Sequence, residues 1–354
     1  MKMIVGGLTN KQKTLFSVTV LCVLAFTLIM LTVASYKTEP APQASNDYLY
    51  GYLGEGSAED GINILLLGRD FDSNRTDAVA IASVNYKSGT VKAVQIPRDS
   101  YVEDGNYQGR LANLLPRYKS EAESAGSQNA LTDGIKRLSL KLQTDIGVRL
   151  DRYVFLESDT VQLVTDALGG VEIEIPADID YTDPERAIDL HLKEGKQTLD
   201  GKTAAMFVRY REGYPQADIG RLDAQKLYVA AAMEKLFSFS SVTNAETLLQ
   251  SIASCVKTDL TAEEIARLAA ALLSMDARNI ILYTAPGNGV TVNGASYYGL
   301  YTERLAEITA GFVGNIGKMT AVGFAEASNG YTDTKGEKLS AIIEHGLSIP
   351  VYAN

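Results

Sequence analysis

Arginine and aspartate recur in this chain at spacings suited to handling phosphate. Arg69, Asp70, Asp72, Arg75 and Asp77 fall in one polar segment, and Pro97-Arg98-Asp99 forms a second. A third, Phe207-Val208-Arg209-Tyr210-Arg211, sets two arginines at period two, so an extended backbone would present both on one side. A fourth holds Asp218, Arg221 and Gln225, whose spacing brings all three to one face of a helix. Arginine stays charged, and its forked donors match phosphate oxygens in pairs. Carboxylates beside it suit Mg2+, which favours hard oxygen ligands and neutralises charge developing on a phosphate during transfer. A single Arg–Asp motif is ordinarily a solvated pair of small energetic weight. Four such segments argue for one shared anion site.

Other chemistries find less support. His191 and His345 have no partner motif nearby and read as ordinary surface or core residues, which argues against zinc or serine–histidine catalysis. Cys22 lies in an apolar run and Cys255 in a probable helix, at a separation that fits no metal knuckle.

The elements that must position these residues begin after a membrane anchor. Leu15 to Tyr36 contains no charged residue, and at about 1.5 Å per residue it is long enough to cross a bilayer core. Lys2, Lys11 and Lys13 precede it without an acid, which places the N-terminus inside the cell. A cleaved leader ending near Thr32-Val33-Ala34 is the rival reading, and the length of the run favours the anchor. Beyond Tyr36, thirty basic residues face forty-three acidic ones. Bulk charge therefore argues against nucleic acid as a partner, and a phosphate would need a local cluster.

Lys37 to Gly61, with two prolines and scattered polar residues, reads as a stalk. Ile62–Leu67 is a continuous apolar run, as in a strand covered on both faces. Ala78–Val84 and Thr90–Ile96 follow as strands, with a turn at Asn85–Gly89 and a stop at Pro97. Such short connections join antiparallel neighbours, so the sheet should be mixed. Helices are expected over Leu131–Ile146, Asp159–Leu168, Thr203–Tyr210, Asp218–Phe237, Ala245–Val256 and Thr261–Met275. Leu222, Val229 and Met233 are expected to face inward. Thr261 and Glu264 are spaced as a capping box, and Gly169-Gly170 as a helix stop. Val171–Ile175 and Asn279–Thr284 read as further strands. The expected fold is α/β, a three-layer α/β/α sandwich with a central mixed sheet, preceded by one transmembrane helix. Its parts are a cytoplasmic segment 1–14, the span 15–36, the stalk 37–60, an extracytoplasmic domain 61–317 and a tail 318–354, read either as an appendage or as a truncated second module.

The series NILLLGRD, RTD, VQIPRDSYV, ALGGVEIEI, GKQTLDG and FVRYREGYPQADIGRLDAQ resembles the LytR-CpsA-Psr family, strongly from Gly61 to Leu236 and weakly to Gly317. The resemblance implies an extracytoplasmic, membrane-anchored phosphotransferase of Gram-positive-type envelopes. Such enzymes take a glycopolymer from a polyprenyl-pyrophosphate carrier and join it to the muramic acid C6 hydroxyl of peptidoglycan through a phosphodiester. Carried over by position, it implies Asp70 and Asp77 as Mg2+ ligands. Arg75, Arg98, Arg209, Arg211 and Arg221 would bind pyrophosphate with support from Gln225. Arg98 and Asp218 would be catalytic, Asp218 as base or as an orienter of arginines. The family also holds the lipid tail in an apolar tunnel.

The chain departs from the family pattern at Asp72, where Arg or Ser is usual. It departs again at Arg110-Leu111-Ala112-Asn113, in place of Lys-x-Asn before paired glycines, and at Ala224-Gln225, in place of Arg-Gln. These changes bear on acceptor or polymer choice more than on pyrophosphate. A non-catalytic binder of polyprenyl-pyrophosphate glycans and a pyrophosphate hydrolase at the same site are the alternatives. The paired carboxylates favour chemistry over sequestration.

Overall fold

The computed structural model describes residues 59–69, 75–157, 159–185, 188–210, 255–274 and 279–315, together with Ala224, Leu227, Tyr228, Ala231, Ala232, Lys235, Phe324 and Glu337–Lys338. The expected span at 15–36 lies outside them. Among the described residues, no helix is long and apolar enough to cross a membrane.

The apolar run read at Ile62–Leu67 is the centre of strand β1, Gly61–Arg69, buried along all but its last residue. A pleated strand sends alternate side chains to opposite faces. Ile62, Ile64 and Leu66 accordingly join one core, and Leu65 and Leu67 the other. Strands β2 (Thr76–Asn85) and β3 (Thr90–Ile96) divide the same way: Ala80, Ala82 and Val91 on the first side, Ile81, Val94 and Ile96 on the second. Each fully buried Leu or Ile contributes roughly 1.5–3 kcal/mol relative to exposure.

Past β3 come a short hairpin, β4 (Tyr101–Asp104) and β5 (Tyr107–Arg110), and two helices, α1 (Leu114–Ser124) and α2 (Ala130–Ile146). Strand β6 (Arg152–Leu156) then re-enters the sheet, and α3 (Thr160–Ala167) leaves it. Gly169 and Gly170, at φ of 70° and 91°, end α3 as expected, their amides donating to the Asp166 and Thr165 carbonyls. Two antiparallel ribbons follow. β7 (Val171–Ile175) pairs with β10 (Gly195–Leu199), and β8 (Ile179–Asp183) with β9 (Ile188–Leu192). His191 lies on the exposed face of β9 beside Asp180 and Asp189, a surface residue as read.

Helix α4 (Gly201–Phe207) is capped by Asp200, whose side chain accepts from the Thr203 amide. Ala224, Leu227, Tyr228 and Ala232 are buried helical residues within the predicted 218–237 helix. Leu222, Val229 and Met233 lie outside the described residues. The expectation of helix through Val256 is corrected: Val256–Thr258 is strand β11, drawn into extended form by antiparallel pairing along the free edge of β6. The Thr261–Glu264 capping box at the head of α5 (Ala262–Ser274) is present in both directions, at 2.9 and 3.2 Å. The described chain continues through β12 (Ile280–Thr284), β13 (Gly287–Val292), β14 (Ala295–Leu300) and α6 (Thr302–Thr309).

Across the sheet the order is β11-β6-β1-β2-β3-β12-β15, where β15 is Glu337–Lys338. β1 runs parallel to β6 and β3 parallel to β12, while β1–β2, β2–β3, β6–β11 and β12–β15 are antiparallel. The sheet is mixed, with apolar cores and helices on both faces. Phe324, in the tail, is buried in the second core and bridges to Val102.

Candidate active site

Strands β6, β1, β3 and β12 all point the same way, so their carboxyl ends, at Leu156, Arg69, Ile96 and Thr284, lie along one edge. Ligands of open α/β sheets bind in the crevice beyond such ends. Arg69 at the end of β1 and Arg98 just past β3 therefore share this edge.

Register explains the closest contact at this edge. Val79 pairs with Ile96 across β2 and β3, and two residues further out on each strand stand Asp77 and Arg98. Arg98 donates from Nη1 to Asp77 Oδ1, its side chain 16% exposed against 27% for Asp77. Pro97 stops β3, and the turn is held by Ser100 N–H to the Pro97 carbonyl (3.0 Å) and Ala112 N–H to the Arg98 carbonyl (2.9 Å). Arg98 thus sits on a fixed backbone at the lip of the sheet. Arg75 is exposed, just before β2.

Arg209 follows the helix expected over Thr203–Tyr210 and not the extended alternative: the Arg209 and Tyr210 amides both donate to the Met206 carbonyl, at 3.1 and 3.0 Å. The helical hydrogen-bond ladder runs on past Phe207 and overrides the period-two reading. Arg209 is half-buried there. Asp70, Asp72, Arg211, Asp218, Arg221 and Gln225 lie outside the described residues. Of the predicted site, the structure therefore brings Asp77 and Arg98 together, with Arg75 nearby in sequence.

It also adds residues whose part was not foreseen. Asp99 accepts from Arg110 Nε at 2.9 Å and lies 3.7 Å from Arg98 Nε, so one carboxylate spans two guanidiniums. Arg110, noted in the sequence only as a departure, also donates to the Ser296 carbonyl at 3.1 Å and stacks 5.2 Å from the Tyr297 ring. The Tyr298 amide donates to the Asp99 carbonyl, which lays β14 against the turn. At the neighbouring strand end, Glu157 meets Arg69 at 3.2 Å and Lys257 at 3.0 Å. Burial works to raise the Glu157 carboxyl, yet the Lys257 and Arg69 cations hold it below the usual range. The tandem Arg98-Asp99 was the one sequence signal for this wider network.

The donor set bears on Mg2+. Asp77 is a partly exposed carboxylate that Arg98 engages through Oδ1, which suits a hard cation. Among the described residues, no group of three or more His, Cys, Asp or Glu is placed to hold a metal. Mg2+ commonly takes one or two carboxylates plus substrate phosphates and waters, and of the two expected carboxylates only Asp77 is among the described residues.

Comparison with known proteins accords with this architecture. A protein of Oceanobacillus iheyensis named polyisoprenyl-teichoic acid–peptidoglycan teichoic acid transferase TagU is 29% identical over 288 residues, 80% of this chain and 82% of that one. The fold matches that of protein gbs0355 from Streptococcus agalactiae with a TM-score of 0.57 at 18% identity, over 76% of this chain and 93% of that one. It also matches TagT bound to LIIa-WTA, with a TM-score of 0.55 at 20% identity, over 79% of this chain and all of that one. The family model LytR_cpsA_psr matches residues 27–312, most of the chain, and the protein belongs to the LytR_cpsA_psr family.

Proposed function

We propose that this chain is a phosphotransferase that moves a glycopolymer from a polyprenyl-pyrophosphate carrier to peptidoglycan, at the muramic acid C6 hydroxyl, through a phosphodiester. The observation that carries the reading is the Asp77–Arg98 pair, set across two strands at the carboxyl edge in a chain of this family. The name of the Oceanobacillus iheyensis relative, a transferase from polyisoprenyl-teichoic acid to peptidoglycan, supports it.

In this reading the acceptor hydroxyl oxygen attacks the glycan-linked phosphorus. The bond to the second phosphate breaks, and polyprenyl phosphate leaves with the electron pair. Asp218 takes the hydroxyl proton. Arg98 turns from Asp77 toward the phosphate oxygens, where its fork offsets the developing charge. Arg75, Arg209, Arg211 and Arg221 complete the clamp, with Gln225 in support. Asp70 and Asp77 would hold Mg2+, which when bound supplies Lewis-acid neutralisation of the phosphate. The span at 15–36 would anchor the domain outside the cell membrane, beside a lipid-linked donor.

Donor affinity by calorimetry, measured beside single-turnover transfer, tests the assignment. Asp218→Asn should leave donor affinity within a few-fold while transfer falls about 10²–10⁴-fold, the usual size of general-base catalysis. Arg209→Lys and Arg211→Lys should weaken the donor. Unchanged donor affinity in both lysine variants, or full transfer in excess chelator, would overturn the clamp and the metal respectively. Free phosphorylated glycan as product would make water the acceptor and the protein a hydrolase.

A further inference from the structure

Arg98 is held from two directions. Its Nη1 donates to Asp77, and its Nε lies 3.7 Å from Asp99 Oδ2. In the proposed reaction the first contact is given up, because the fork turns from Asp77 to the phosphate oxygens. The second can persist. Asp99 is the next residue on the same turn and stays beside Nε while Nη1 changes partner.

Asp99 is itself fixed, in backbone and in side chain. Its carbonyl accepts from the Tyr298 amide at 2.9 Å, and the Ser100 carbonyl accepts from the Leu111 amide at 2.8 Å. Its Oδ1 accepts from Arg110 Nε at 2.9 Å. Arg110 has little freedom of its own. Nη2 donates to the Ser296 carbonyl at 3.1 Å, and the guanidinium lies 5.2 Å from the centre of the Tyr297 ring. Tyr101, the partner of Arg110 across the β4–β5 hairpin, packs edge-on to that ring at 5.1 Å. A solitary exposed ion pair contributes little, since both side chains must be ordered to make it. Here one oxygen of the carboxylate is tied to an arginine already in place, and the other is turned to Arg98.

We propose that Asp99 is a positioning residue for Arg98. It keeps Nε in place, so the fork is ordered before a donor arrives and stays ordered once Asp77 is given up. Arg110, backed by Ser296 and Tyr297, anchors Asp99. A side chain held ready removes part of the ordering cost that binding would otherwise carry. The inference rests on the reading of Arg98 as a phosphate ligand. Its sign separates it from a bystander role. A carboxylate beside an anion site repels the anion, so neutralising a bystander would tighten donor binding. Neutralising a positioning residue loosens it.

The test titrates the full chain, in detergent micelles, with geranyl pyrophosphate by calorimetry. Wild type, Asp99→Asn, Arg98→Lys and the double variant are compared, with melting temperatures beside them. Asp99→Asn should weaken the probe about three- to tenfold, the size expected when one long side chain is left unordered. In the Arg98→Lys background the same change should add less than about twofold, because Asp99 acts through the fork that lysine lacks. Tighter or unchanged binding in Asp99→Asn, or an equal loss in both backgrounds, would overturn the proposal. Arg98→Lys alone separates it from the reading beneath it. Wild-type affinity there removes the phosphate clamp, and the part of Asp99 with it. Weak binding there beside normal binding in Asp99→Asn removes the positioning role only. Arg110→Ala keeps the carboxylate but releases it, so it should reproduce a loss of about twofold or more. That variant decides the matter should Asp99→Asn melt far below wild type.

Discussion

Two arginine–aspartate pairs close opposite edges of the same sheet, and they differ in what surrounds them. At the amino ends of β1 and β6, Arg149 and Asp151 are each 7% exposed. Asp151 accepts from the Asn63 amide at 2.8 Å and from Arg149 Nη2 at 3.1 Å, while Asn63 Nδ2 donates to the Arg149 carbonyl at 2.8 Å. Every partner there comes from the protein, and burial still pushes the Asp151 carboxyl up against the opposing Arg149 charge. At the carboxyl edge, Arg98 and Asp77 are two to four times more exposed, and Asp99 and Arg110 stand 41% exposed each. The same two residue types lock a fold where backbone encloses them. Where water reaches them, the pair is open to exchange, as the proposed phosphate clamp requires.

That contrast is open to measurement. The largest effect should follow Arg149→Ala, which strands the buried Asp151 carboxylate and should lower unfolding free energy by about 3–5 kcal/mol in denaturant titration. A loss below about 1 kcal/mol would erase the distinction between the two edges. Next comes Asp259, a carboxyl bonded to the Tyr153 amide at 2.7 Å and raised by burial to about 6, against the pull of that amide and of Arg152. A carboxyl raised in the folded state stabilises it below the unfolded value near 3.8 and loses that contribution as pH climbs through about 6. The difference between wild type and Asp259→Asn should therefore drift by up to about 3 kcal/mol from pH 4 to 7, the wild type falling relative to the variant. Parallel stability curves for the two proteins would contradict this.

At the open edge the order of effects reverses, with ligand binding more sensitive than folding. Arg98→Lys keeps the charge and loses the fork, so donor binding should weaken by about 1–3 kcal/mol in calorimetry with the melting temperature nearly unchanged. A large fall in melting temperature would make Arg98 a structural residue like Arg149. The smallest effect is expected for Arg110→Ala, which removes an exposed ion pair and a stack on Tyr297, together about 0.5–1 kcal/mol of stability.

How much of this could be read from sequence depended on whether the controlling interaction was local. β3 and β7 fall on the expected residues because an apolar or alternating run is cut by Pro97 and by Gly170. Helix α1 was not among the expected elements; Pro116 lies in its first turn, where proline is tolerated. β8 and β9 are short and polar on alternate positions, and they acquire meaning only by pairing with each other. The site shows the same division. Arg98 and Asp77 were named from residue type and family resemblance, but their meeting follows from the Val79–Ile96 register, which no local pattern encodes. Asp99 and Arg110 are linked across a hairpin and a turn, and at Arg209 the sequence supported both a helix through Tyr210 and an extended pair with Arg211, a choice that only the hydrogen bonding to Met206 decides.

The two-residue strand Glu337–Lys338 has a consequence for handling the protein. It pairs with Ile281 and Leu282 on β12, which otherwise ends the sheet on that side. An unpaired strand edge offers its amides and carbonyls to any extended chain, including a second copy of itself. Material shortened at residue 317 would keep every arginine and aspartate assigned to the phosphate edge yet lose this cover and the buried Phe324 ring. Its failure would then show as sticky, concentration-dependent clumping, with catalysis in freshly diluted samples intact.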